Sequence, residues 1–161
     1  MPRVTATARG LGFAGLLPQV AALLLMILGL RSYGDLGGLL ALTGYWLAIG
    51  YGALILSFLG GIWWGYAMRR ETGQGRLAVT AVVPSLVAFG TVIAGAWTLP
   101  QVPSPWAAIT LGSAILLTLP VDRHLTSSGE APANWMALRL PLSIGLGTLT
   151  IAAGIVLGSS G

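Results

Sequence analysis

Between Arg9 and Arg31 the chain carries no charged residue, and charge-free apolar stretches of this kind recur to its end. A helix rising 1.5 Å per residue needs about 20 apolar residues to cross a ~30 Å hydrocarbon layer. Helices are the expected elements, because each satisfies its own backbone hydrogen bonds where no water is present. Only 7% of the residues are charged and 55% are hydrophobic, whereas roughly a quarter of an ordinary soluble domain is charged. Such a chain could not cover an aqueous surface. Its apolar residues are for lipid.

Read between the charges, the sequence predicts an all-α, polytopic membrane bundle of five transmembrane helices in a single domain. The spans are placed at 10–30, 42–68, 77–97, 105–125 and 136–157. The second apolar run is longer than one span, and Gly37 and Gly38 weaken a helix, so residues 36–41 are assigned to an interfacial approach. The third span ends before Pro100. Pro105 suits a first helical turn, and Pro120 predicts a kink in the fourth span. The first run is read as a retained span: it is long for a signal peptide, and no small-residue cleavage pattern follows it. The tail at Ser159, Ser160 and Gly161 is expected to fray.

Five spans put the ends of the sequence on opposite sides, and the arginines test that arrangement. One side collects Arg3, Arg9, Arg69, Arg70, Arg76 and Arg123, with Arg139 close by. The other has only Arg31, partly offset by Asp35. An arginine excess in short loops marks the cytoplasmic face, so the N-terminus is expected in the cytoplasm and the C-terminus across the membrane. Trp97, Trp106, Trp135, Tyr33 and Tyr45 fall near span ends, where amphipathic rings favour the interface. The net charge of +4 comes entirely from arginine. Its placement fits membrane topology and not nucleic-acid binding, so the expected surroundings are a lipid bilayer and other membrane-protein subunits.

Few residues suggest chemistry. With no cysteine, disulfides and thiol catalysis are excluded. Gly10, Gly12 and Gly15 fit a dinucleotide-binding pattern in letters only, because that pattern needs a βαβ setting. In the second span Ser57, Gly61 and Gly65 recur every four residues, with Trp63 and Trp64 among them. Small residues at that spacing let helices approach closely. The plainer reading is packing inside the bundle; the sharper one is a ligand or partner surface. Pro84, followed by Ser85, interrupts the third span, as a packed kink or as an unwound point facing a cavity. Asp122, Arg123, His124, Trp135 and Arg139 form a polar cluster at the ends of the fourth and fifth spans. An Asp122–Arg139 ion pair fixing two helices is the plainer reading, and a head-group, anion or proton site the sharper one. One histidine and scattered carboxylates make no metal site, and no cofactor is implied.

The segment Tyr51-Gly-Ala-Leu-Ile-Leu-Ser-Phe-Leu-Gly-Gly-Ile-Trp-Trp-Gly65 resembles the central signature of the transmembrane protein 69 family, the domain of unknown function 3429. Gly15-Leu-Leu-Pro18, Val83-Pro-Ser-Leu86, and the stretch from Asp122 and Arg123 through Pro132 and Trp135 to Leu138-Arg-Leu-Pro141 are similar in order and spacing. The resemblance implies a small multi-span protein of bacterial membranes, with eukaryotic relatives in mitochondria. It draws attention to Tyr51, Ser57, Gly61, Gly65, Pro84, Asp122, Arg123, Trp135 and Arg139, and implies no activity.

Three functions follow as expectations. The first is a non-enzymatic accessory, assembly or scaffolding component of a larger inner-membrane complex. The second is a small-molecule or lipid binder or carrier, with a pocket between the second, third and fifth spans near Trp63, Trp64 and Pro84. The third is an interfacial enzyme acting on lipid through Asp122, His124 and Arg139.

Overall fold

A computed structural model describes residues 4–97 and 104–159, the side chain of Trp97 excepted. Arg3, the stop at Pro100, the ring of Trp97, and Ser160 with Gly161 lie outside the described residues. The described chain forms helices α1 (Ala6–Ala14), α2 (Leu17–Arg31), α3 (Asp35–Ala67), α4 (Gln74–Trp97), α5 (Pro105–Leu117), α6 (Leu119–Ser127) and α7 (Trp135–Gly158). They make five spans long and apolar enough to cross a membrane, with α1–α2 and α5–α6 each serving as one. The protein is an all-α, multi-pass membrane bundle.

Its elements differ from the sequence reading in four places, each for a local reason. The first span starts at Ala6, because the Thr5 hydroxyl caps it by accepting the Ala8 N–H at 3.2 Å; Arg9 therefore lies inside the helix. That span breaks at Gly15 and Leu16. Pro18, in the first turn of α2, has no N–H to continue the ladder from α1. The expected kink at Pro120 is likewise a break, with Thr118 joining α5 to α6. Finally, α3 begins at Asp35, so residues 36–41 are helix and not an interfacial approach. At 1.5 Å per residue α3 is about 50 Å long, well beyond a ~30 Å hydrocarbon layer.

Tight packing between neighbours explains why glycines persist in α3. A Cβ on Gly44 would lie 2.6 Å from the Ala22 carbonyl oxygen and 2.7 Å from the Met26 nitrogen of α2. A Cβ on Gly60 would fall on the Ala81 carbonyl oxygen of α4. Between α5 and α7, a Cβ on Gly112 would meet the Gly147 carbonyl oxygen at 2.5 Å. Close backbone approach is how helices associate where burial from water offers little driving force. The turn before α3 is made by Gly34, whose φ of 81° few other residues adopt.

The helices form a ring, α2–α3–α4–α5–α7, closed by α7 against α2, and α3 also leans across to α5 and α7. The main core joins Tyr45, Ile49 and Leu56 of α3 with Met26, Leu111 and Ile115. Tyr45 is thus no interface anchor: it is fully buried, and its hydroxyl donates to the Ser104 carbonyl at 2.9 Å. Tyr33 and Trp106 are exposed, as expected of residues near span ends. A second core cluster, with Trp63, Ala67, Leu77 and Leu125, fills the arginine-rich end.

That end is tied across the sequence. The Val4 N–H donates to Asn134 Oδ1 at 2.7 Å, and Asn134 Nδ2 returns a bond to the Val4 carbonyl at 3.2 Å. Arg70 grips Glu130 through Nε and Nη2, both at 2.6 Å. The N-terminal segment, the α3–α4 loop and the α6–α7 loop therefore share one end of the bundle. The Arg70 guanidinium holds the Glu130 carboxyl below its ordinary 4.5, helped by the Ser128 hydroxyl and opposed by desolvation. Because the folded value is the lower one, this tie is complete above 4.5 and is lost as pH falls through the folded value. Amide protection in residues 69–73 and 128–131, corrected for the intrinsic pH dependence of exchange, is expected to fall below pH 4.5 and to hold steady above it. The change corresponds to no more than about 1 kcal/mol, since the pair is solvent-accessible. Unchanged protection on acidification would show that the tie contributes nothing.

Candidate functional site

Asp122 is the centre of the most elaborate polar arrangement in the described chain. It sits in α6, 1% exposed, and each carboxylate oxygen has its own partners. Oδ1 accepts the indole N–H of Trp63 from α3 at 3.0 Å and that of Trp135 from α7 at 3.3 Å. Oδ2 accepts the Nε–H of Arg139 of α7 at 2.8 Å, and Nη2 of the same guanidinium lies 2.7 Å from it in an ion pair. Arg139 Nη2 also reaches the Thr118 hydroxyl at 3.3 Å, and that hydroxyl donates to the Ile115 carbonyl at 2.6 Å. The Trp135 ring lies 5.9 Å from the guanidinium carbon, within cation–π range. A buried charge is tolerable only when paired and hydrogen-bonded, and here both conditions are met by four side chains from three spans.

The sequence reading put this pair at the ends of the fourth and fifth spans; the structure buries both members between the helices there, Arg139 being 6% exposed. It also missed two participants. Trp63 looked like a stacking residue beside Trp64, but adjacent helical residues point about 100° apart, and only Trp63 turns inward while Trp64 is 46% exposed. Thr118 gave no signal beyond its place before Pro120. Arg123 and His124 do not join: both are exposed on the outer side of α6. The acid–base trio of Asp122, His124 and Arg139 is therefore not assembled.

Two apolar cavities flank the network. One, of about 240 Å³, lies between the first, second, fourth and fifth spans, where Gly12, Gly15, Phe58, Leu142, Ser143 and Arg139 line it. The Ser143 hydroxyl is buried without a hydrogen-bond partner. The other, of about 300 Å³, lies between α3, α4 and the α5–α6 pair, lined by Trp63, Pro84 and Thr118 among others. The expected pocket near Trp63 and Pro84 thus exists, but with the fourth span as its third wall and not the fifth. Trp64 takes no part in it.

Pro84 does not unwind α4, which runs unbroken past it. It is buried, and a Cβ on Gly60 would lie 3.4 Å from the Pro84 Cβ, so the proline belongs to the α3–α4 contact. Ser85 is half-buried. Tyr51 donates its hydroxyl to the Gly15 carbonyl, tying α3 to the break in the first span. A further internal tie escaped the sequence reading: Gln19, fully buried in α2, donates to the Thr150 hydroxyl of α7 at 2.9 Å. A glutamine inside an apolar run was the available signal, since such a side chain bonds between helices.

The small-residue stripe of α3 faces outward. Gly61 and Gly65 are exposed, and a Cβ added to either meets nothing within 4 Å; Ser57 is half-buried. The packing-inside reading fails for Gly61 and Gly65; Gly44, Gly52 and Gly60 make the internal contacts. Leu54, Phe58 and Trp64 stand exposed beside the stripe. Among the described residues no group of acidic, cysteine or histidine side chains could hold a metal ion.

No curated protein and no solved structure matches the chain. The family described as protein of unknown function (DUF3429) matches residues 4–155, a stretch that takes in the first four spans, all but the last three residues of the fifth, the carboxylate network and the outward stripe. On that match the chain belongs to the DUF3429 family.

Proposed function

We propose that this protein is a non-enzymatic accessory, assembly or scaffolding component of a larger complex in a bacterial inner membrane, and that it docks through the outer face of α3. The carrying observation is the outward stripe of half-buried Ser57 with exposed Gly61 and Gly65, where a Cβ on either glycine meets nothing within 4 Å, bordered by Leu54, Phe58 and Trp64. The occupant is a membrane helix of another subunit. Glycines at that spacing let a second helix backbone approach closely, and the bordering side chains offer knobs around the contact. The arginine-rich end, which gathers the N-terminal segment and two loops, is assigned to the cytoplasm on the rule that short basic loops stay inside. Kinship with the transmembrane protein 69 proteins belongs to the same proposal, carried by the 51–65 segment.

The test is a native pull-down of tagged full-length protein in mild detergent, with mass spectrometry for proteins and small molecules. Stoichiometric membrane subunits are expected, and Gly61→Leu with Gly65→Leu is expected to release them while leaving the bundle folded. Recovery of the protein alone would overturn the reading. If one lipid-soluble molecule were enriched instead, the protein would be a binder, and the cavity holding Arg139 and the unpartnered Ser143 hydroxyl would be its site.

A further inference from the structure

The arginine-rich end has a second opening, distinct from the α3 face. A cavity of about 480 Å³ lies between the start of α4 and α6, lined by Arg70, Gly73, Arg76, Leu77, Thr80, Pro120, Val121 and His124. Arg76 and His124 are exposed, one from each wall. Arg70 already holds Glu130, so Arg76 is the cation of this opening that has no ion pair among the described residues. The apolar cavity between α3, α4 and the α5–α6 pair adjoins it, for Thr80 and Val121 line both. Together they make a groove that is basic at the end of the bundle and apolar toward its middle. On α4 it passes Arg76, Thr80, Val83, Pro84 and Val87, about 16 Å along the helix at 1.5 Å per residue.

We propose that this groove binds an anionic phospholipid. The phosphate sits between the Arg76 guanidinium and the His124 ring, and one acyl chain lies along Val79, Val83, Val87, Leu117 and Val121. The shape and charge select this occupant. An amphipath with a negative head and an apolar tail matches a groove whose polarity changes in the same order, and basic residues at a membrane surface attract anionic lipid. A free phosphate would use only the head of the site, and a zwitterionic lipid would forgo the charge pairing. Thr80 marks the crossing point: its hydroxyl donates to the Arg76 carbonyl at 3.0 Å, leaving its methyl for the chain. Among the described residues no carboxylate lines the opening: Glu130 is bound to Arg70 and the exposed Glu71 stands outside the lining, so the walls themselves are basic.

The test uses the full-length protein in nanodiscs of equimolar phosphatidylglycerol and phosphatidylcholine, followed by native mass spectrometry of the released protein. Retained phosphatidylglycerol is expected to exceed phosphatidylcholine, and Arg76→Gln with His124→Gln to lower that preference about tenfold. Val83→Trp, which fills the apolar half, should also lower retention, while excess glycerol phosphate should not displace the lipid. Arg123→Gln, altering a neighbouring arginine that does not line the groove, should leave the preference unchanged. Unaltered preference in the Arg76 and His124 variant would overturn the proposal. An equal loss in Arg123→Gln would overturn it too, by showing general attraction to a basic surface. Displacement by glycerol phosphate would reassign the opening to a soluble phosphate ester. Unchanged thermal unfolding of each variant checks that the exposed substitutions left the bundle intact.

Discussion

Asp122→Ala is expected to destabilise the bundle by about 3 kcal/mol, the lower part of the range for breaking a buried ion pair. The substitution strands three groups at once: the Arg139 guanidinium and the indole N–H groups of Trp63 and Trp135. Each unpartnered indole adds a desolvation penalty of its own. The lower part of the range is chosen because Arg139 lies in the second turn of α7, and a long side chain so near a helix end relieves some of its charge by reaching for the head groups. Asp122→Asn keeps one acceptor oxygen and should fall between wild type and alanine. Asp122→Leu combined with Arg139→Met removes both charges and should recover most of the lost stability, as apolar replacements of buried pairs do. Equilibrium unfolding in bicelles would measure all three variants beside wild type. A change below ~1 kcal/mol for Asp122→Ala would mean that the pair is surface-like. No recovery in the double variant would mean that the two tryptophans hold the site, and not the charges.

The second large effect comes from two adjacent residues with opposite expected outcomes. Gly60→Ala puts a methyl on the Ala81 carbonyl oxygen, a backbone atom that cannot rotate away. The α3–α4 contact must open, for a loss of about 1–3 kcal/mol typical of overpacking. Gly61→Ala meets nothing within 4 Å, and its helical preference over glycine favours it by up to ~1 kcal/mol. Unfolding of the two variants side by side reads the difference directly. Equal losses would place Gly61 in an internal contact and remove the basis for an outward docking face.

The same pair of glycines shows where the sequence stops being informative. Span number, approximate span limits, the Asp122–Arg139 pairing and the gathering of arginines at one end were all legible, because each depends on where charge interrupts apolar runs. Which face of α3 turns inward was not. In a soluble helix the polar face is the outer one; in lipid both faces are apolar and the contrast vanishes. Gly44, Gly52 and Gly60 recur at eight, and Ser57, Gly61 and Gly65 at four, so both sets trace a helical face, and only the packed neighbours distinguish them. Trp63 was misjudged for the same reason, since its partner Asp122 comes from a helix 59 residues away. The Arg70–Glu130 tie joins two loops 60 residues apart and had no periodic signature. The breaks at Gly15 and Thr118 were half visible, through Pro18 and Pro120, but a proline alone does not decide between a bend and a break.

The closing of the ring also sets an order of events during synthesis. The first span and the segment before it find polar partners in and just before the fifth: Gln19 with Thr150 and Val4 with Asn134, at separations of 131 and 130 residues. A ribosome adding 5–20 residues per second needs on the order of ten seconds to supply them. For that interval the first span resides in the bilayer with the Gln19 amide unmatched, while α3 and α4 can already pair through Gly60. Assembly therefore closes, and does not begin, at the seam between the earlier-made α2 and the later-made α7.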